Sequence, residues 1–237
     1  MLSSSHTPKD PPEITLTFLG SGHQFYVFET PDPAYVIKFV KFSRRTPLPW
    51  LEKLPLPSPL STWRNIYLAK RANRLAHLQQ SAALALQRIP LQTGLLPTPS
   101  LPPSITLIDK LGILHNINPS HTLFFLQQKA TPFTDYFNAH PSESLIDSYI
   151  QTIVSQCRKG LCNLDPLTER NYGVVNERVI ILDIGSFLPH SKLNTPIGLK
   201  RQIFLELLPL REWLQKHHPQ HLPYFDACLK KTIENML

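Results

Sequence analysis

From Glu13 to Leu19 (EITLTFL) apolar and polar positions alternate, the period-two pattern of a half-buried strand, and Gly20-Ser21-Gly22 is expected to break it. Phe25 to Glu29 reads as a second strand, and Thr30-Pro31-Asp32-Pro33 as a tight turn. Ala34 to Phe42 (AYVIKFVKF) reads as a third strand, with Tyr35, Ile37 and Phe39 on one face and Val36, Lys38 and Val40 on the other. Prolines at 47, 49, 55, 57 and 59 make residues 43–60 a linker without regular structure. Ser61 and Thr62 are N-cap types and open a long helix, 61–88, in which Ile66, Ala69, Leu75, Leu78, Ala82 and Leu86 recur every few positions.

A second proline-rich stretch, 90–103, follows. Ile105 to Ile108, Ile113 to His115 and Thr122 to Gln128 then read as strands, and Phe133 to His140 and Ser142 to Lys159 as helices. The second of these helices buries Leu145, Ile146, Tyr149, Ile153 and Val154. Val174-Val175 and Val179 to Leu182 bracket Asn176-Glu177-Arg178 as a hairpin, and helices from about Ile197 to His217 and His221 to Met236 finish the chain. A strand-rich first half with one long helix, followed by a helix-rich second half with one hairpin, predicts an α+β chain of two lobes. The expected division is a flexible segment at 1–12, an N-lobe at 13–128 that includes the helix 61–88, and a helical C-lobe at 129–237.

Composition narrows this. The 237 residues suffice for one domain of two lobes, and 42% hydrophobic residues argue against wholesale disorder. No apolar run approaches the roughly 18 residues of a spanning helix, and the first 16 residues do not read as a signal peptide. Three cysteines (Cys157, Cys162, Cys228) make no disulfide framework, so a reducing, cytoplasmic location is expected. Cys157 and Cys162 read as core residues, and the ten histidines show no metal-ligand spacing. The 24 prolines are about twice the usual share and the eight glycines about half of it, so two glycines close together carry information.

Charge is uneven. Residues 38–88 hold ten basic side chains and one acid, Glu52, a net of +9 in a chain of net +7. Such an excess favours an anionic partner: a phosphorylated ligand, a nucleic acid or an acidic membrane surface; a solvated helix face would also explain it. The interleaved aromatics and Gly-rich strand motifs of RNA-binding sheets are missing, so nucleic acid is not the expected partner.

Candidate chemistry lies in five short segments. Gly20-Ser21-Gly22 joins two expected strands, where backbone N–H groups could cover phosphates; an ordinary hairpin turn also accounts for it. Lys38 sits in an apolar strand, eleven residues after Val27, and needs a partner there. Asp165 precedes Asn171 by six residues, and Asp183-Ile184-Gly185 follows twelve residues after Asn171, at the end of a strand. Taken singly, Asp165-Pro166 and Asn171-Tyr172-Gly173 are turn formers and Asp183 a strand-end cap.

Taken in order, these segments resemble the protein-kinase-like superfamily over about Glu13 to Trp213, and within it the small bacterial kinases of the lipopolysaccharide-core type. Tyr35-Val36-Ile37-Lys38 is similar to the V-A-I-K strand, Leu123 to Ala130 to the fifth strand and hinge, Leu164-Asp165 through Asn171 to the catalytic loop, and Asp183-Ile184-Gly185 to D-F-G. The resemblance implies a two-lobed fold with a small antiparallel-sheet N-lobe and a reduced helical C-lobe. It implies an ATP- and Mg²⁺-dependent phosphotransferase acting on a hydroxyl of a small-molecule, sugar or lipid-headgroup acceptor. In that reading Gly20, Ser21, Gly22 and Val27 cover the nucleotide, Lys38 holds its α/β-phosphates, and the backbone of Leu126, Gln127 and Gln128 meets adenine. Asp165 orients the acceptor hydroxyl, and Asn171 and Asp183 hold the metal.

The pattern also departs from the family. Phe25 stands at the third glycine, Asn163-Leu164-Asp165 replaces His-Arg-Asp, and Asp165 to Asn171 spans one residue more. No A-P-E is present, and no glutamate lies between Lys53 and Asn138, so the helix 61–88 offers none to Lys38, leaving Glu52 or Glu29 as substitutes. These departures fit the alternative of a catalytically silent pseudokinase that binds a nucleotide or a partner.

Overall fold

A computed structural model describes residues 14–41 and 49–235. The expected flexible segment 1–12, the part of the 43–60 linker before Pro49 (with Arg44 and Arg45) and the Glu52 side chain lie outside the described residues. In chain order the elements are β1 (Ile14–Ser21), β2 (Phe25–Glu29), β3 (Tyr35–Val40), α1 (Pro49–Glu52), α2 (Ser58–Arg88), α3 (Pro90–Thr93) and β4 (Leu95–Leu96). There follow β5 (Ile105–Ile108), β6 (Leu114–Ile117), β7 (Phe124–Gln128), β8 (Thr131–Pro132), α4 (Phe133–Ala139), α5 (Glu143–Arg158) and β9 (Leu161–Asn163). The chain ends with α6 (Thr168–Asn171), β10 (Tyr172–Val175), β11 (Arg178–Ile181), β12 (Phe187–Pro189), α7 (Pro196–His217) and α8 (Leu222–Glu234). They form two compact units, Met1–Lys41 with Pro97–Gln127, and Phe42–Leu96 with Gln128–Leu237.

The first unit is a sheet with strand order β7–β3–β2–β1–β5–β6. Its pairs β1–β2, β2–β3 and β5–β6 are antiparallel, while β1–β5 is parallel, so the β5–β6 hairpin extends the edge beyond β1. Leu16, Phe28, Ile37, Phe39 and Ile105 make its core, where Phe28 meets Phe18 and Phe39 edge-on at 5.7 Å each. This is the face on which Ile37 and Phe39 were expected to lie together. Val36, Lys38 and Val40 on the opposite face are buried as well. Gly20-Ser21-Gly22 does not break β1: the strand runs through Ser21 after a bulge between Phe18 and Gly20, and the turn is Gly22 to Phe25, closed by Gly22 N–H donating to Phe25 O at 3.1 Å.

In the second unit α5 packs against β11 and α7 and buries Ile146, Tyr149, Ile150 and Ile153; the five positions expected on its apolar stripe are all buried. Ser142 caps it by accepting the Leu145 N–H. The β10–β11 hairpin turns on Asn176 and Glu177, both in the left-handed region (φ +48° and +61°). The pair β9–β12 (Cys162 opposite Leu188) was not anticipated, because three-residue strands leave no period to read.

Several expectations about the long helix need correction. It begins at Ser58, and Ser61 and Thr62 do not cap it; their hydroxyls donate back to Ser58 O. Pro59 fits the first turn, whose N–H groups lack intrahelical partners in any case. For the same reason prolines start α1 and α3 inside the two stretches expected to be irregular. The buried positions are Arg71, Leu78, Ser81, Ala82 and Ala85, so only two of the six expected apolar positions lie inward. The observed grouping also sets α2 with the second unit, whereas the sequence reading sets it with the sheet. A reason is Ser81, whose buried hydroxyl donates to Ile184 O at 2.7 Å and accepts from Phe187 N–H at 2.8 Å.

Candidate functional site

In the first unit, β2–β3 pairing sets Lys38 opposite Val27 and Phe25 opposite Val40, so Phe25, Val27 and Lys38 share a face. Lys38 is 8% exposed, and its Nζ stands 5.9 Å from the centre of the Phe25 ring. Phe25 in turn meets Phe125 edge-on at 6.0 Å. Phe25, where the sequence reading expected a third glycine, is thus a core aromatic whose ring faces the Lys38 ammonium. A Cβ at Gly20 or Gly22 would meet nothing within 4 Å, and neither backbone is left-handed, so neither packing nor turn geometry requires glycine there. The space over them is open to a close ligand. Lys41 steadies the turn, its Nζ donating to Gly22 O at 2.6 Å and lying 4.5 Å from the Tyr26 ring centre.

Gln127 is buried in β7, and Gln128 N–H donates to Gly94 O at 2.9 Å, so that donor is already used. Gln128 Oε1 accepts from Arg178 at 3.1 Å.

In the second unit Asp165, Asn171 and Asp183 come together through a closed circuit of hydrogen bonds. Asn171 Nδ2 donates to Asp165 O at 2.7 Å, and Asn171 O accepts from Leu182 N–H at 2.7 Å, which fixes the residue before Asp183. Asp183 Oδ1 accepts from Gly185 N–H at 3.0 Å and Oδ2 from the Ser186 hydroxyl at 3.1 Å. Ser186 O then accepts Leu164 N–H at 2.9 Å, returning to the residue before Asp165. Asn171-Tyr172-Gly173 is therefore not a turn: Asn171 ends α6, a single helical turn, and Tyr172 begins β10. Both aspartates are partly exposed, and Asn171 is buried.

Two features missed in the sequence hold this loop. Glu206 on α7 is 1% exposed and accepts from Asn163 N–H at 3.0 Å, Gln156 Nε2 at 2.8 Å and Gln202 Nε2 at 2.8 Å. Asn163 Oδ1 in turn accepts Asp165 N–H at 3.0 Å, so the glutamate supports Asp165 through one residue. Burial raises the Glu206 carboxyl to about 7, opposed by those hydrogen bonds. A lone glutamate among Ile203, Leu207 and Leu210 was the available signal. Tyr149 and Tyr172 meet at a tilt of 34° with ring centres 4.3 Å apart, and Tyr149 Oη lies 3.1 Å from Thr168 Oγ1 of α6. Cys157 and Cys162 are buried free thiols, as expected, with burial raising both.

A groove of about 240 Å³ opens beside the loop, lined by Leu167, Glu169, Glu212, Trp213, Lys216 and His217 among others. Among the described residues no three His, Cys, Asp or Glu side chains cluster as a metal site. Asn171 and Asp183 do supply hard oxygen donors, the kind Mg²⁺ takes when phosphates complete its shell.

An antiparallel-rich sheet, a long helix, and a helical unit carrying a loop, a hairpin and an Asp-Ile-Gly strand exit make this an α+β fold. No protein-family model and no curated protein matches the chain. Among solved structures it is similar to WbdD in complex with the kinase inhibitor LY294002, at 16% identity and TM-score 0.42, over 81% of this chain and 37% of that one. It is also similar to monomeric WbdD (16%, 0.43, 87% and 44%) and to the ROP18 kinase domain with AMP-PNP and sucrose (12%, 0.38, 84% and 68%). The chain spans less than half the length of those WbdD chains.

Proposed function

We propose that the chain is a divergent ATP- and Mg²⁺-dependent phosphotransferase that acts on a hydroxyl of a small-molecule, sugar or lipid-headgroup acceptor in a reducing, cytoplasmic compartment. The observation that carries this reading is the hydrogen-bond circuit that joins Asp165, Asn171 and Asp183. Mg·ATP, when bound, would supply the phosphoryl group and the positive charge that offsets the charge developing on it. Asp165 orients the acceptor hydroxyl and takes up its proton, and Asn171 and Asp183 hold the metal. Lys38, its ammonium facing the Phe25 ring, would hold the α/β-phosphates, and Gly20, Ser21 and Gly22 would cover them, with Val27 against the nucleotide. The backbone of Leu126, Gln127 and Gln128 would meet adenine, Gln128 through its carbonyl because its N–H is engaged. The groove lined by Leu167, Glu169, Glu212 and Lys216 offers an acceptor two carboxylates and a cation.

A second reading, a pseudokinase that binds nucleotide and transfers nothing, is favoured by α2, which carries no acidic residue and buries Arg71 and Ser81 as its polar positions. One experiment separates them: thermal shift with ATP, with and without Mg²⁺, followed by ATP turnover over an acceptor panel. The transferase gives Mg²⁺-dependent stabilisation and acceptor-dependent turnover; the pseudokinase gives stabilisation alone. Asp183→Ala removes the Mg²⁺-dependent part of the shift while its own melting stays cooperative. A variant that binds Mg·ATP as well as the parent removes Asp183 from the metal site.

A further inference from the structure

One stripe runs the length of α2 at spacings of three and four: Leu60, Trp63, Tyr67, Arg71, Arg74, Leu78, Ser81 and Ala85. From Leu78 onward it is the buried face, tied by Ser81 to the Asp-Ile-Gly exit. Toward the N-terminus the same stripe turns outward: Leu60 is 55% exposed, Trp63 75% and Tyr67 40%, with Ile66 beside them at 50%. α1 and the turn after it lie against this end of the helix, where Arg64 Nη1 donates to Leu54 O at 2.6 Å. They add Trp50 (63% exposed) and Leu54 (41%). Two tryptophans, a tyrosine and three aliphatic side chains are thus presented to solvent within eighteen residues, far more than scattered surface apolars require.

The charge around this face selects the occupant. From Lys53 to Arg88 there is no acidic residue; Lys53, Lys70 and Arg74 are exposed bases beside this face, while Arg71 is buried with its guanidinium donating to Tyr67 Oη. A second copy docking the same face on itself would bring like charges together. A nucleic acid would not use the leucines and isoleucine, which offer no stacking plane. Basic side chains flanking Trp, Tyr and aliphatic residues on a helix are the composition that settles at an anionic lipid interface. Among the described residues no helix is long and apolar enough to cross a membrane, so the contact is peripheral.

We propose that α1 and the N-terminal half of α2 form a docking surface for an anionic lipid bilayer. Lys53, Lys70 and Arg74 are drawn to acidic headgroups, while Trp50, Trp63, Leu60 and Ile66 enter the interface. The surface is separate from the Asp165–Asp183 circuit and does not depend on phosphoryl transfer.

The test is co-sedimentation of the full chain with vesicles of phosphatidylcholine mixed with phosphatidylglycerol, and with vesicles of phosphatidylcholine alone. The chain partitions onto the mixed vesicles, not the neutral ones, and comes off as salt is raised. Trp50→Ser with Trp63→Ser lowers partitioning about tenfold or more, because apolar area no longer enters the interface. Lys53→Gln with Lys70→Gln lowers it toward the neutral-vesicle level. All four side chains are exposed, so an unchanged melting temperature accompanies each variant. The proposal is overturned by equal partitioning onto neutral vesicles, by insensitivity to the tryptophan changes, or by no vesicle binding at low salt. In the last case, tight binding to an oligonucleotide or Trp63-dependent self-association names the occupant that replaces the lipid.

Discussion

Gly173 shows how a single hydrogen in place of a side chain positions the candidate loop. Its backbone is ordinary, so no turn demands glycine; what demands it is crowding. A Cβ there would stand 2.8 Å from Ala130 Cβ and 3.0 Å from Thr131 O, the strand β8 that pairs with β10. Gly173→Ala therefore forces β8 and β10 apart two residues after Asn171. Overpacking of this kind costs about 1–3 kcal/mol, and the expected outcome is a lower midpoint in urea unfolding with an unchanged slope. Gly20 and Gly22 are the opposite case: alanine meets nothing at either, so Gly20→Ala leaves the unfolding midpoint nearly where it was. A midpoint shift at Gly20 as large as that at Gly173 would show that the hairpin glycines serve packing and would remove the open space assigned to a ligand.

At the scale of elements, α2 is held to the Asp-Ile-Gly exit by one hydroxyl. Ser81 Oγ donates to Ile184 O and accepts from Phe187 N–H, and both bonds are buried. Ser81→Ala strands two backbone groups, each costing about 1–3 kcal/mol when left unpaired in the interior. The expected outcome is a destabilised chain with faster amide exchange at Phe187, whereas Ser81→Thr keeps the hydroxyl and much of the protection. Exchange at Phe187 that stays slow in Ser81→Ala would mean that the segment is held by packing alone. The same serine marks a limit of what the sequence discloses. The period of apolar positions found the helix and its C-terminal end, but a serine at a core position is indistinguishable from a surface serine until its distant partners, Ile184 and Phe187, are in place. The strands β2 and β5 were legible to the residue because alternation and flanking turn formers agree there. The starts of α1, α2 and α3 were not, because proline both ends structure and begins helices, and the sequence alone does not say which.

At the scale of the whole molecule, the order of lysine, loop aspartate, asparagine and Asp-Ile-Gly could be read from spacing, since each falls in or at the end of a recognisable strand or helix. What supports the loop could not, because its contacts join elements far apart in the chain. Glu206 gathers donors from α5, β9 and α7 around one buried carboxylate, and its titration makes the stability of the second unit depend on pH. Its carboxyl is raised from 4.5 to about 7 in the folded chain. Below the unfolded value both states are protonated and the stabilisation is fully present. Between the two values the unfolded chain has lost the proton and the folded chain keeps it, so stability falls as pH rises through this window and levels off above about 7. The loss is on the order of 3 kcal/mol. Glu206→Gln cannot lose a proton, so its unfolding free energy lacks this slope; the amide costs a constant offset, because it must refit among four donors. Denaturant titrations from pH 4 to pH 8 on parent and variant measure the difference. A parent and variant whose curves run parallel across that range would show that Glu206 titrates at its ordinary value, and that the Asn163 N–H and the two glutamines stabilise the charged carboxylate strongly enough to cancel its burial.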